Sequence, residues 1–564
     1  MVIRMKIKQR KRLGDLLVEA GLITEEQLNN ALKLQKVTGK KLGELLIDEG
    51  VISEKQIIEV LEFQFGIPHV DLSKYFIDPE IPRLIHENLA KKHVLIPIRK
   101  ERGLLVVAMA DPLNIFAIDD VKIAAGLEVE PVIAAKQGIL NAIEKYYGRQ
   151  VAEQAIEDFR RQNSSDGLLD LADDSPNEIN NAPVVRLVNS FIKQAVLARA
   201  SDIHIEPFEN NLRIRFRIDG DLQEIMITAK STHSAIVTRI KIMGKMDIAE
   251  KRIPQDGRIE TLVDGKEVDL RISVLPTVHG EKVVIRLLDR SIFLLGKNDL
   301  GLTEKNAKLF EKITKHPNGI ILVTGPTGSG KTTTLYTVLR ELNQITKNII
   351  TVEDPVEYRL EGVNQVQVNN KAGMTFANGL RSILRQDPDI IMVGEIRDME
   401  TAQIAVRASI TGHLVLSTMH TNDTASTISR LLDMDIESYL VSSALVGVVA
   451  QRLVRKICES CKISYEADRK DQVLLGLEET VKLYKGRGCS VCNHTGYKGR
   501  SAIHEIMPIT KEIRKLIDER AGMDELRKTA KEQGTLSLKE NCKELVINGI
   551  TTVDELIRAA YTLE

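Results

Sequence analysis

Eight consecutive residues, Gly325-Pro326-Thr327-Gly328-Ser329-Gly330-Lys331-Thr332, follow the apolar run 319–324 and precede a stretch with helical periodicity. In that strand–loop–helix setting the glycines let the chain curl until successive backbone N–H groups face a nucleotide's phosphates, and the helix N-terminus adds its dipole. Lys331 would reach the β- and γ-phosphates, the Thr332 hydroxyl would ligate Mg2+, and Thr333 completes the phosphate-contacting set. A chance glycine-rich turn does not need all eight positions.

Acids follow at the ends of two more apolar runs. Residues 348–352 lead into Glu353-Asp354-Pro355-Val356-Glu357, and residues 389–393 into Gly394-Glu395-Ile396-Arg397-Asp398. In an open parallel sheet ligands sit beyond the carboxyl ends of the strands, so acids there point at the phosphates. Phosphoryl transfer to water needs one acid to hold Mg2+ and another to position the attacking water. Glu353, Glu357 and Glu395 are the candidates. A fourth run, from Thr411-Gly412-His413 to Thr418-Met419-His420, brings two histidines to a neighbouring strand, and His420 is placed to sense the γ-phosphate.

Cysteine spacing marks a second kind of chemistry. Cys458-x-x-Cys461 and Cys489-x-x-Cys492 give two tight knuckles of paired thiolates, 27 residues apart. This predicts a closed, structural Zn2+ site. Cys542 has no partner and reads as a buried helix residue.

The elements that must position these groups need several domains, because 564 residues exceed one hydrophobic core. Residues 1–65 hold a doubled unit: 12–35 and 41–64, each of 24 residues, separated by five. In each, a short helix ends at Gly21 or Gly50, and Thr24 or Ser53 caps a second. Residues 66–149 read as a small α/β module and the polar, acidic stretch 150–182 as a linker. A small α+β domain at 183–292 follows, and the phosphate chemistry lies in an α/β domain at 293–564 that includes the cysteine insert at 458–492.

A net charge of −1 gives no field to draw in nucleic acid, and 4% aromatics with no Trp disfavours base stacking. The basic start lacks an apolar signal core, and no apolar run reaches membrane-spanning length. The expected place is the cytoplasm, with membrane association only through a partner.

With the boxes at 325–332, 353–357, 394–398 and 411–420, and with Ser201–Pro207 and Arg252–Arg258 before them, the region 183–505 resembles the ATPases of type II secretion and type IV pilus assembly. The resemblance implies a RecA-like P-loop core, a preceding PAS-like α+β domain, and a ring of six subunits that binds ATP with Mg2+. It implies Glu395 on the metal and Glu357 polarising water. Arginines of the small domain, among Arg217, Arg239, Arg258 and Arg271, would complete a neighbour's site. An inner-membrane platform protein is the implied partner, and pilus assembly the implied work, with type II secretion as the alternative. Assembly motors of this kind carry a four-cysteine element that retraction motors usually lack.

The doubled unit resembles the cyclic di-GMP-binding module found at the start of some of these ATPases. The contacts it implies are Arg12, Leu13, Gly14, Leu28, Leu32 and Gln35 in one copy, and Lys41, Leu42, Gly43, Ile57, Leu61 and Gln64 in the other. Lys41 departs from the more usual Arg and cannot make its planar, bidentate contact. A nucleotide-gated scaffold and a DNA translocase are the competing readings.

Overall fold

The computed structural model describes residues 14, 17–18, 20–38, 42, 45–46, 51–52, 56, 60, 62, 66–72, 75, 77–78, 80–101, 103–136, 138–143, 146–147, 183–263, 265–289, 296–479 and 481–561. The expected linker at 150–182 lies outside them. So do Arg12, Leu13, Lys41, Gly43, Ile57, Leu61 and Gln64. The chain divides into two compact units, one of residues 1–216, 223–257 and 273–284, the other of 217–222, 258–272 and 285–564.

In the first unit, the doubled sequence builds one shared core. Leu17, Ile23 and Ala31 are buried together with Leu46, Ile52 and Val60, and each pair is one repeat apart. Helix α1 (Glu25–Thr38) starts from a capping box: the Gln27 N–H donates to Thr24 Oγ1 (3.2 Å), and the Thr24 N–H to Gln27 Oε1 (2.8 Å). Next comes a three-stranded sheet, β1 (Leu95–Glu101), β2 (Leu104–Met109) and β3 (Glu128–Ile133), in that spatial order. β1 and β2 run antiparallel. β2 and β3 run parallel, as a crossover through α2 (Ile115–Ala125) requires. Asn114 caps that helix and Gly126, at φ 65°, ends it.

Helix α3 (Pro183–Leu197) buries Val185, Val188, Phe191, Ile192 and Ala195, an i, i+3, i+4, i+7 stripe. Six strands follow: β4 (Asp202–Pro207), β5 (Asn211–Ile218), β6 (Asp221–Ala229), β7 (Gln255–Val263), β8 (Lys266–Thr277) and β9 (Gly280–Asp289), with α4 (His233–Met243) between β6 and β7. They form one sheet in the order β6-β5-β4-β9-β8-β7. β5 alternates as a half-buried strand should, with Leu212, Ile214 and Phe216 inside.

The second unit is built on a seven-stranded sheet. Its strands are β10 (Gly319–Thr324), β11 (Ile349–Glu353), β12 (Asn364–Gln367), β13 (Ile390–Val393), β14 (Leu414–Met419), β15 (Leu445–Ile457) and, beyond the β16–β17 hairpin (Lys462–Glu466, Lys482–Gly486), β18 (Tyr497–Pro508). The order is β12-β11-β13-β14-β10-β15-β18, parallel except for the last pair. β10, β13 and β14 are wholly buried and read as continuous Ile/Val/Leu runs, the signature of a parallel sheet covered on both faces. Helices α5 (Lys331–Leu342) and α6 (Thr424–Asp433) begin beside the strand ends that matter below, and α7 (Leu538–Ile547) and α8 (Val553–Tyr561) pack on β15 and β18.

Candidate nucleotide site and cysteine cluster

β10 lies between β14 and β15, although β11 follows it in sequence. The chain therefore leaves β10 at a point where strand order reverses, which is where open α/β sheets bind ligands. The loop 325–330 fills that crevice. Its curl needs glycine at two places especially. Gly325 sits at φ 144°, and a Cβ there would come within 2.3 Å of the Gln451 carbonyl oxygen. Gly330, at φ 88°, is the N-cap of α5, and a Cβ there would lie 2.8 Å from Gln451 Nε2. Pro326, Thr327, Gly328 and Thr332 are exposed at the mouth, Thr333 is half-buried, and Ser329 is buried.

Lys331 folds back over the loop, its ammonium donating to the carbonyls of Gly325 (2.8 Å) and Pro326 (3.1 Å). Burial lowers its pKa and the charge of Glu395 opposes that shift. A half-buried ammonium held only by carbonyls is one that a phosphate can recruit.

The register aligns the other strand tips with this loop. Thr324 pairs with Met419, and Val393 pairs with Val352 and Ser417. Glu395 and His420 thus emerge at the same edge, and His420 Nε2 stands 3.2 Å from Glu395 Oε2. Arg397 makes an ion pair with the other oxygen of Glu395. A chain of hydroxyls, Thr324 to Thr421 to Thr427, ties the end of β10 to the loop after β14. His413 does not join this group; its ring hydrogen-bonds the Ala408 carbonyl (2.8 Å) at the opposite end of β14.

The acid box divides its labour. Glu353 is 3% exposed and its carboxylate accepts from Tyr336, from Thr351 Oγ1 (2.6 Å) and from Gln365 Nε2 (3.0 Å). Those donors hold it inside the sheet. Beside that charge, burial above all pushes the Tyr336 phenol well above its ordinary pKa. Glu357 lies outside the strand and pairs with Arg271 Nη1 at 2.9 Å, while Arg271 Nη2 donates to the Val356 carbonyl (3.1 Å).

Two of the other candidate arginines are also occupied. Arg258 clasps Asp269 through two hydrogen bonds (2.8 and 2.7 Å), and Arg217 donates to the Gly220 carbonyl (2.8 Å). Arg239, on α4 in the first unit, has its Nε buried without a hydrogen-bond partner among the described residues.

Two residues beside the loop are ones that motif reading passes over. Gln451 Nε2 donates to the Ser329 carbonyl (2.8 Å) and Gln451 Oε1 accepts from Thr334 Oγ1 (2.6 Å). Its neighbour Arg452 donates to Asn422 Oδ1 (3.3 Å) in the loop after β14. Their trace in the sequence is that both interrupt an apolar run on β15.

At the far end of β15, Cys458, Cys461, Cys489 and Cys492 place their sulfurs within 4.8 Å of one another. Separations of 3.9, 3.9 and 3.7 Å exclude disulfides and match the edge of about 3.8 Å of a tetrahedron with Zn–S near 2.3 Å. The residues fit the metal. Burial raises the Cys461 thiol to about 12, a group that ionises only against a cation. At Cys492 burial acts the same way, but the N–H groups of Cys489 (3.1 Å) and Gly496 (3.3 Å) overcome it and bring the thiol down to about 7. In the N-terminal module, a Cβ on Gly14 would meet Leu28 at 2.5 Å and Leu42 at 3.3 Å, so residues of both repeats converge on this glycine. Leu32 is exposed and Gln35 half-buried.

Comparison with known proteins agrees with this geometry. The sequence pattern of the family described as "Type II/IV secretion system protein" matches residues 177–558, and that of the "MshEN domain" residues 65–153. The second match covers the α/β module and begins where the doubled unit ends. The chain is 43% identical to "Type IV pilus assembly ATPase PilB" of Myxococcus xanthus, over 97% of this chain and 98% of that one. It is 45% identical to "Type II secretion system protein E" of Pseudomonas aeruginosa, over 81% and 94%. The X-ray structure of the Yersinia pseudotuberculosis ATPase DotB covers 66% of this chain and 93% of that one at 21% identity and a TM-score of 0.50, a likeness of fold. A RecA-like P-loop core, strand tips bearing Glu395 and His420, and matches along nearly the whole chain lead to one conclusion: this protein belongs to the type II/IV secretion system protein family, the ATPases of pilus-assembly and type II secretion machines.

Proposed function

We propose that this chain is an ATP-hydrolysing motor for type IV pilus assembly, working as a hexamer on an inner-membrane platform protein. The observation that carries the reading is the convergence of the 325–332 loop, Glu395 and His420 at one edge of a parallel sheet, where the strand order reverses.

In this reading the loop's N–H groups and Lys331 bind the triphosphate, Lys331 exchanging the carbonyls of Gly325 and Pro326 for phosphate oxygens. Mg2+ supplies Lewis-acid neutralisation of charge on the phosphoryl oxygens, and Thr332 and Glu395 are the residues to hold it. Glu357 orients the attacking water and accepts its proton, which requires Arg271 to release it. His420, already bonded to Glu395, reports the terminal phosphate to the loop that starts α6. Glu353 positions the strand tip, consistent with the donors that enclose it. The arginines Arg217, Arg239, Arg258 and Arg271 remain our candidates for completing a neighbour's site, of which Arg239 has an Nε without a hydrogen-bond partner among the described residues.

Phosphate release by the purified full chain tests the motor. Lys331→Ala should lower turnover at least about a hundredfold, given what one charge clamp contributes to phosphoryl transfer. Turnover equal in the two proteins leaves only a nucleotide-gated scaffold.

Two finer assignments belong to the same reading. Zn2+ closes the four-cysteine site, and the 12–64 doublet binds cyclic di-GMP through the residues named above. That doublet lies outside the MshEN match, so its contacts rest on its own glycines, leucines and basic residues. Calorimetry of the full chain with cyclic di-GMP should show heat that Arg12→Ala removes; no heat from the parent chain discards the assignment. The competing work, type II secretion, is favoured by the 45% identity to the protein of that name. Loss of pili with secretion intact on gene deletion supports assembly, and the reverse supports secretion.

No helix among the described residues is long and apolar enough to cross a membrane.

A further inference from the structure

The phosphate loop is shaped from behind by a residue outside every motif. Gln451 on β15 is 3% exposed, and its amide is used at both ends: Nε2 donates to the Ser329 carbonyl and Oε1 accepts from Thr334 on the first turn of α5. Only one orientation of the amide satisfies both partners, since the reverse sets an oxygen against a carbonyl oxygen. The same residue fixes where glycine is needed. Its carbonyl oxygen and its amide nitrogen are the atoms that a Cβ at Gly325 and Gly330 would strike.

The consequence is geometric. Across a planar trans peptide, the carbonyl and the following N–H point in opposite directions. Drawing the Ser329 carbonyl toward β15 turns the Gly330 N–H away from β15. Without that hold, the Ser329–Gly330 peptide is free to flip and present a carbonyl oxygen to the phosphates, replacing a dipolar attraction by a repulsion.

Resting on the nucleotide-site reading above, we propose that Gln451 is a positioning residue for triphosphate binding, which sets the direction of the Gly330 N–H through the Ser329 carbonyl. It touches neither nucleotide nor metal. Its next neighbour, Arg452, reaches Asn422, so two successive residues of β15 hold the loops on either side of the crevice.

The test compares wild type, Gln451→Glu, Gln451→Met and Lys331→Ala as full chains. Calorimetry with Mg-ADP and a non-hydrolysable Mg-ATP analogue gives affinity, steady-state kinetics gives KM and kcat, and melting without nucleotide gives the fold. Glutamate keeps the size but loses the donor; methionine keeps the length but loses both partners. Both should weaken nucleotide binding about tenfold or more, with the larger change in KM than in kcat, and lower the unliganded melting temperature by so little that each variant stays fully folded at the assay temperature. If Gln451→Glu does not melt cooperatively, Gln451→Met carries the test. Nucleotide affinity equal to wild type, or a loss that merely follows a lowered melting temperature, overturns the inference. Wild type failing to bind nucleotide at all sinks the site reading itself. Wild-type binding lost in Lys331→Ala but retained in both Gln451 variants sinks this inference alone.

Discussion

His504 shows what a single buried side chain contributes. It sits on β18 at 1% exposure, and both its ring nitrogens lack a hydrogen-bond partner among the described residues. Its backbone, in contrast, is clamped: Asn306 Nδ2 donates to its carbonyl (3.0 Å) and its N–H donates to Asn541 Oδ1 (2.9 Å). Burial takes the imidazole from its ordinary pKa near 6.5 down to about 4, so the fold requires the neutral ring. For a base with a depressed folded pKa, the stabilisation is present above about 6.5 and is lost as pH falls toward 4, at most about 3 kcal/mol. Replacing His504 by Leu, which removes two unpaired ring nitrogens, should leave the melting temperature at pH 7 equal to or above wild type, and the gap in favour of the variant should widen at pH 4.5. A gap of equal size at both pH values contradicts this. At this scale the sequence is uneven. Lys331 and the cysteines are legible because their chemistry needs fixed types at fixed spacing. The inward turn of Glu353 is not, because which face a strand-end side chain takes depends on donors such as Gln365 on a neighbouring strand.

Elements carry the next part of the account. β15 is the common support: it borders β10, grips the phosphate loop through Gln451, and ends at the first cysteine knuckle. Arg455, near that end, clasps Glu555 on α8 and stacks 4.1 Å over the Tyr497 ring. Gly486 and Gly496 approach so closely that a Cβ on Gly486 would lie 2.1 Å from the Gly496 carbonyl oxygen, which closes the loop of the second knuckle; the first is joined to it where the Cys458 N–H donates to the Gly496 carbonyl (2.9 Å) and the Arg487 N–H to the Cys461 carbonyl (3.0 Å). Stripping the metal with a strong chelator, or Cys489→Ser, should therefore loosen this end of β15 and β18 and lower the melting temperature by several degrees, since a structural metal contributes folding free energy. Metal analysis should find about one zinc per chain in the parent protein; well under one, with unchanged melting on chelation, removes the site. The element pattern was readable where a period repeats: the two 24-residue units place Leu17 with Leu46 and Ile23 with Ile52 in one core. The strand order was not readable, because nothing local in residues 319–324 says that β14 and β15, rather than β11, will flank them.

At the scale of the molecule, the phosphate loop, Glu395 and His420 lie together at one edge of the seven-stranded sheet. The 177–558 family match spans that region, and the N-terminal modules precede it, with the MshEN match on 65–153. The proposed motor must sense whether its phosphate is present. The residues proposed for this already touch: His420 bonds Glu395, and the loop that follows is tied to β10 through Thr421 and Thr324. The most direct test is a structure of the full chain with Mg2+ and a non-hydrolysable ATP analogue. The account predicts the triphosphate seated on residues 325–332, with Lys331 on the γ-phosphate, Glu395 beside the metal, and Glu357 parted from Arg271 and turned toward the γ-phosphorus. A nucleotide bound with Lys331 still on the loop carbonyls, and Glu395 and His420 remote from the γ-phosphate in every subunit, would contradict it.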